Sequence, residues 1–290
     1  MSGPRAVVIG GGVSGLATAA LLARGGASVT VLEQASALGG RTGMLERDGL
    51  RFDTGPSWFL MRDAFEQFFS LLGRRLDEEL ELVDLDVRYR VYFEGADASG
   101  PGERLDVVAD AAANWAAFEA LSPGEGEAMR KYAEDSADLY GLALRRFLYT
   151  TFENPLRAVN GEVLGKAARL PALLGRSLGE HIARRVTDPR LRQVLGFHAV
   201  FLGSAPDRAP ALFALMSHLD LGEGVQYPQG GMYAVIEAVA RAARDEGAEL
   251  RTGARVERVI TLDGRAVAVR LADGEELPAD LVIGATDMHH

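Results

Sequence analysis

Short apolar runs mark both ends of the chain, and helical periodicity fills most of what lies between. Ala6-Val7-Val8-Ile9 is a compact apolar run of strand length. Leu16, Ala17, Ala20, Leu21 and Leu22 follow at helical spacing, and Ala27 to Glu33 forms a second short run. Residues 6–33 therefore read as strand, turn, helix, strand. Residues 44–52 read as a hairpin around Asp48-Gly49. Residues 63–83 read as helix, with Phe65, Phe68, Phe69, Leu71 and Leu72 on one side. Residues 87–108 alternate as strands around a polar loop from Gly95 to Gly102, and 110–148 are helical with a break at Ser122-Pro123-Gly124. Met232 to Glu246 has Val235, Ile236, Val239 and Ala242 on its inward face. The tail reads as a β-meander: Glu249–Thr252, Val256–Leu262 and Arg265–Leu271, then a short strand, with turns at Asp263-Gly264 and Asp273-Gly274. Ala279 to Ala285 reads as a buried strand that rejoins the first sheet.

Composition narrows the classes open to such a chain. Its 290 residues suit two domains, and 48% hydrophobic content supports a sizeable core. There is no cysteine, which excludes disulfides, thiol nucleophiles, iron–sulfur clusters and thiolate zinc sites and fits a cytoplasmic setting. A net charge of -10 argues against nucleic acid as a partner. No apolar run approaches the roughly 20 residues of a membrane-spanning helix. Residues 6–23 are not a signal peptide, because the start carries little positive charge and glycines interrupt the run. Residues 139–192 stand apart, with ten Arg/Lys against four Asp/Glu, a local +6 interleaved with apolar residues. Such a stretch could lie on an anionic membrane surface or be a solvated helical face over a buried stripe.

The glycines carry the candidate chemistry. Gly10, Gly12 and Gly15 match G-x-G-x-x-G where that pattern has meaning, after a strand and opening a helix. Gly10 permits the sharp turn, Gly12 leaves the backbone open to a pyrophosphate, and Gly15 lets the helix press on the sheet. The first N–H groups and the positive end of the helix dipole then face the phosphates. Glu33 ends the second strand, where a carboxylate can accept from both ribose hydroxyls and would repel a 2′-phosphate. Gly39-Gly40-Arg41 places exposed N–H groups beside a cation, either a second clamp on the pyrophosphate or an ordinary turn. Asp53-Thr54-Gly55-Pro56 is a turn by composition. Gly230-Gly231 frees the backbone at the entry to the helix from Met232. The N-terminus of that helix could face a bound cofactor or substrate, or the pair could be a plain helix-entry turn.

These motifs come in the order and spacing of the FAD-dependent amine-oxidase-like flavoproteins, which the chain resembles at its glycine fingerprint, Glu33, Gly39-Gly40-Arg41 and Phe52-Asp53-Thr54-Gly55-Pro56. A second stretch sharpens the resemblance. Asp188-Pro189-Arg190, Gly196-Phe197-His198, Phe201-Leu202-Gly203, Ala209-Pro210-Ala211 and Tyr227-Pro228-Gln229-Gly230-Gly231-Met232 look like the bacterial-type phytoene desaturases within that superfamily. The resemblance covers essentially the whole chain. It implies that Gly10, Gly12, Gly15, Glu33, Gly39, Gly40 and Arg41 hold the ADP half of FAD. It adds Gly55 to the cofactor site and puts Val256 where backbone groups meet the adenine.

The implied fold is α/β. A Rossmann-like FAD-binding domain with a β-meander is built from 1–60 and 225–290, and a mostly helical substrate domain, 61–224, is inserted between them. The implied activity is desaturation of an apolar polyene such as phytoene, with hydride transfer to FAD and reoxidation by quinone or oxygen. The implied location is cytoplasmic, on the inner face of the membrane. In the resembled family a long region follows the point where this chain stops, so a C-terminally truncated and inactive chain is expected. Alternatives are another amine-oxidase-like flavoenzyme, or a non-catalytic lipid-binding protein like the Rab escort proteins. His181, His198 and His218 show no metal spacing and His289-His290 lies at the end, so structural or surface roles are expected and no metal. Nothing in the sequence marks a catalytic residue.

Overall fold

The structure, a computed structural model, describes residues 3–94, 101–144 and 170–287. It divides into two compact units, residues 1–83 with 226–290, and residues 84–225. Residues 145–169, nearly half of the basic stretch proposed for a membrane surface, lie outside the described residues, as does the end of the chain from 288.

The first unit is organised by a four-stranded parallel sheet in the order Leu281–Gly284, Arg5–Ile9, Ser28–Leu32, Glu249–Arg251. Ala6 pairs with Leu281 on one side and with Val29 on the other. A parallel sheet is covered on both faces, which is why its central strands carry almost no polar side chains. The helix Val13–Arg24 buries Leu16, Ala19, Ala20 and Ala23, and the helix Tyr233–Asp245 buries Val235, Ile236, Val239, Ala242 and Ala243. Both pack into one core with Val8, Val29 and Val31. Alanine and glycine dominate the first helix because it lies close against the sheet and leaves little room for larger residues. A smaller core, Val7, Leu32, Val269, Leu271 and Ala279, joins the sheet to the antiparallel ribbon Val256–Leu262, Arg265–Leu271, Glu276–Pro278. Its first turn, like that of the hairpin Met44–Arg47/Leu50–Asp53, puts both residues of an Asp-Gly pair at positive φ, the conformation a two-residue hairpin needs.

Three features differ from the sequence reading. The helix expected over 63–83 is two helices, Arg62–Leu71 and Leu76–Glu79, followed by the strand Leu82–Asp84. Gly73, at φ 71°, ends the first of them, and the Gly73 and Arg74 N–H groups donate back to Ser70 and Phe69. Glu249–Arg251 is an edge strand of the parallel sheet, paired with Thr30–Leu32, and not part of the meander. It directly follows a helix that packs on that sheet, and a strand returning through a crossover helix lies parallel. The boundary expected at 61 falls after 83, because Phe69, Leu72, Leu76 and Leu80 are buried in the core that holds Leu16 and Ile236.

The second unit holds the paired strands Val87–Glu94 and Pro101–Val108 and a set of helices, chiefly Ala111–Leu121, Glu125–Ala143 and Pro189–Gly196. Asp110 and Asp188 cap the first and last of these through their carboxylates. Phe118, Met129, Leu178, Leu191 and Leu195 form its core. Inside this unit lies a charged pair. His198 and Asp220 are each 2% exposed, with His198 Nε2 3.1 Å from Asp220 Oδ1, off the line of a hydrogen bond. Tyr89 donates its hydroxyl to Asp220 Oδ2 at 2.7 Å, and Arg88 donates to the Asp220 backbone carbonyl. His198 Nδ1 lies 3.2 Å from the Leu195 carbonyl, so Nδ1 carries a proton. A neutral imidazole would then turn an Nε2 lone pair toward an Asp220 oxygen, so the arrangement favours the protonated imidazole, whose pKa is raised.

Candidate functional site

The first glycine turn takes the chain from strand Arg5–Ile9 into helix Val13–Arg24. Gly10 stands at φ 110° and donates its N–H to the Leu32 carbonyl at 2.8 Å. A Cβ on Gly15 would lie 2.0 Å from the Gly10 carbonyl oxygen, so no larger residue fits without moving the helix. Gly12 is different. Its φ of -76° and ψ of 176° suit any residue, and a Cβ there would meet nothing in the protein closer than 3.9 Å. A methyl there would make only ordinary contact with the Gly39 carbonyl oxygen and the Gly40 Cα, so the folded chain itself does not require glycine at 12. No side chain caps this helix, so the N–H groups of its first turn are left for a ligand or water.

The second glycine turn closes the other side. Gly39 donates to the Gly11 carbonyl at 2.9 Å, and the Gly12 Cα lies 3.3 Å from where a Gly40 Cβ would be. Gly39 and Gly40 stand at φ 121° and 57°. Arg41 follows, exposed, with no ion pair among the described residues. The two turns meet, Gly12 against Gly39 and Gly40, with the exposed Arg41 at their edge, and backbone and cation so arranged suit a diphosphate.

Glu33 is 8% exposed. Its Oε2 accepts from the Gly11 N–H and its Oε1 from the Ala35 N–H, each at 2.8 Å. The carboxylate thus fixes the first turn from behind while each oxygen keeps a second acceptor position. Its own backbone is held by Arg251 and Ala254, at 2.9 and 2.8 Å, and Gly253 donates to Ala35 at 2.8 Å. Those contacts bring the start of strand Val256–Leu262 up to Glu33, with Val256 half-buried against the small core.

Gly10, Gly12, Gly15, Glu33, Gly39 and Gly40 thus form one cluster. Gly55 joins it indirectly: a Cβ there would fall 2.0 Å from the Arg41 carbonyl oxygen, so its work is to let the chain pass behind the second turn. Asp53 was read only as part of a turn. It accepts from the Tyr227 hydroxyl at 2.6 Å, from Met232 N–H at 2.9 Å and from Tyr233 N–H at 3.3 Å. Burial raises its pKa, but these three donors more than offset that and hold it below the ordinary carboxylate value. The N-terminus of helix Tyr233–Asp245, left open by the sequence to flavin or substrate, is therefore filled by a carboxylate of the chain. The sequence held a weak signal: no Ser, Thr, Asp or Asn stands next to the start of that helix, which leaves its first N–H groups to a remote acceptor, a ligand or water. Among the described residues no cluster of three metal-ligating side chains occurs, and no helix is long and apolar enough to cross a membrane.

The fold and these paired glycine turns define a dinucleotide-binding α/β protein. The chain belongs to the flavin-containing amine oxidoreductase family, whose pattern it matches over residues 13–290. It is 36% identical to a carotenoid 3,4-desaturase of Haloarcula japonica over all of this chain and 57% of that protein. It is 40% identical to a phytoene dehydrogenase of Streptomyces griseus, over 97% of this chain and 54% of that one. The chain thus spans about half the length of the curated relatives it matches. Among solved structures, a putrescine oxidase variant superposes with a TM-score of 0.64 at 21% identity, covering 98% of this chain and 58% of that one. A Rab GDI from Plasmodium falciparum superposes with a TM-score of 0.59 at 15% identity, covering 97% and 65%. The cofactor of this family is FAD, and the meeting of the two glycine turns at Gly12, beside the uncapped helix N–H groups, fits its diphosphate.

Proposed function

We propose that this chain is the ADP-binding part of an FAD-dependent desaturase acting on a carotenoid-type polyene. The observation that carries the reading is identity of 31–40% across nearly the whole chain to relatives named for carotenoid desaturation and related carotenoid chemistry. The solved structures share the fold with an amine oxidase and a Rab-binding protein, and do not choose between activities. When bound, FAD supplies a hydride acceptor for the allylic carbon of the polyene, to be reoxidised by quinone or oxygen. The chain's residues bind and orient it. The first turn and Gly39-Gly40-Arg41 take the diphosphate, Glu33 takes the ribose, and the backbone at Val256 borders the adenine. No group in this cluster is placed to move a proton, so any acid or base of the reaction is supplied elsewhere.

Titration of the purified chain with FAD, and with NAD in parallel, tests the reading. Saturable FAD binding that NAD does not match is expected; binding of neither by a folded chain would sink it. Glu33→Arg removes the ribose acceptors and leaves the Gly11 and Ala35 N–H groups without partners. It is expected to weaken FAD binding at least about tenfold, the loss of one to two charge-assisted hydrogen bonds. Equal affinity in the variant would remove Glu33 from the site.

Association with an anionic membrane belongs to the same proposal and rests on the +6 balance of 139–192. Co-sedimentation with phosphatidylglycerol vesicles at low salt, reversed by roughly 0.5 M salt, is the expected result. A chain that stays in the supernatant at low salt argues for the solvated-face reading instead.

A further inference from the structure

The second glycine turn is not held by its neighbours in sequence alone. Tyr233, from the far end of the chain, reaches it, and the backbone of Tyr233 is held by Asp53. The Tyr233 N–H donates to Asp53 Oδ1, while its side chain runs to the second turn. There its hydroxyl donates to the Leu38 carbonyl at 3.2 Å. The edge of its ring, at Cε2, would lie 3.2 Å from a Cβ on Gly39. Met232 and Tyr227 complete the grip on the carboxylate. Gly231, at φ 96°, lets the chain bend so that these donors converge, and a Cβ on it would come within 3.1 Å of Asp53 Oδ1. On the other side, the residues after Asp53 hold the turn's exit: Thr54 N–H donates to Gly43 at 3.0 Å, and Gly55 passes against the Arg41 carbonyl.

We infer that Asp53 and Tyr233 are positioning residues for the FAD diphosphate, acting through Gly39-Gly40-Arg41. The inference rests on the FAD reading above. Neither side chain needs to touch the cofactor. Asp53 fixes where helix Tyr233–Asp245 begins, Tyr233 carries that position to Leu38 and Gly39, and Gly55 sets the height of the Arg41 backbone. Without the carboxylate, two helix N–H groups and a tyrosine hydroxyl lose their acceptor, and the second turn loses the support that Tyr233 gives at Leu38 and Gly39.

A double-mutant cycle on FAD affinity tests this, with thermal unfolding measured on every variant. Asp53→Ala is expected to weaken FAD binding about tenfold, and Asp53→Asn, which keeps one acceptor, to recover part of the loss. Tyr233→Phe removes a single hydroxyl and serves if Asp53→Ala does not fold; a loss of about threefold is expected. The decisive reading is the cycle with Arg41→Ala. Residues that act through one loop couple, so in the Arg41→Ala background either change is expected to cost less than half of its effect, in logarithmic units, in the wild-type chain. Additive losses, or unchanged affinity in a folded variant, overturn the inference. A wild-type chain that binds no FAD overturns the FAD reading and this inference with it. Wild-type binding with indifferent variants overturns the inference alone.

Discussion

Gly12→Ala is expected to weaken FAD binding by about three orders of magnitude in a chain that remains folded. The methyl lies where the two glycine turns meet, in ordinary contact with the Gly39 carbonyl oxygen at 3.9 Å and the Gly40 Cα at 4.0 Å. The backbone angles at 12 are ordinary for alanine. The stability cost is that of a poorer helix N-cap, about 1 kcal/mol. The binding cost is larger. A carbon at contact distance from the backbone keeps phosphate oxygens off the first-turn N–H groups, and two or three charge-assisted hydrogen bonds of roughly 1.5–3 kcal/mol each are forfeited. Affinity is expected to fall about 1,000-fold, near 4 kcal/mol. Gly15→Ala is the control with the opposite signature. Its Cβ would sit 2.0 Å from the Gly10 carbonyl oxygen, so the fold itself gives way before any ligand is added. Thermal unfolding with and without FAD separates the two. If Gly12→Ala binds FAD like the wild type, the meeting of the turns is not where the diphosphate lies.

Asp220→Ala is expected to destabilise the 84–225 unit by about 3–5 kcal/mol, the cost of leaving one member of a buried charge pair alone. The loss should depend on pH. Burial lowers the pKa of His198, but the charge and contact of Asp220 outweigh it, and the net shift is upward. A folded-state pKa raised above the unfolded value gives stability that is fully present below about pH 6.5 and is lost as the pH rises through the folded value. In Asp220→Ala burial, the largest influence, is opposed only by the Leu195 carbonyl; the sign reverses, and the variant is expected to weaken further as the pH falls. His181 adds a background slope of that same second kind, its pKa pushed down to about 4 by burial first and Arg185 second. Wild type and variant share that background, and their difference isolates His198. Tyr89 and Arg88 face Asp220 and keep their charge states across this range, Tyr89 because burial pushes its hydroxyl well up. A stability gap that does not narrow as the pH rises above about 6.5 would show that His198 and Asp220 are not held as an ion pair.

What the sequence made legible was local. The strand, glycine turn, helix and strand of 6–33 are readable because each residue's role concerns neighbours within a few positions. The same is true of the Asp-Gly hairpins and of the inward face of the helix from Tyr233. The candidate cofactor residues could be named because their glycines leave a spacing. What was not legible depended on distance. Asp53 meets its donors 174 to 180 residues away, and no window of sequence shows a carboxylate that caps a helix so remote. His198 and Asp220 are separated by a turn-rich stretch whose path the pattern does not give. Residues 62–80 carry the amphipathic periodicity of either unit. Only their packing against Leu16 and Ile236 assigns them to the first.

The strand order has a consequence for how the protein is made. The two central strands of the sheet, Arg5–Ile9 and Ser28–Leu32, leave the ribosome first, whereas both flanking strands, Glu249–Arg251 and Leu281–Gly284, emerge after the whole 84–225 unit. At a typical synthesis rate of about 5–20 residues per second, those central strands wait more than ten seconds for partners, with both hydrogen-bonding edges and an apolar face exposed. The later unit can close around its own core in that interval. Folding in the cell therefore runs against the order of the sequence, and the interval before residue 249 appears is when a holdase chaperone has most to protect.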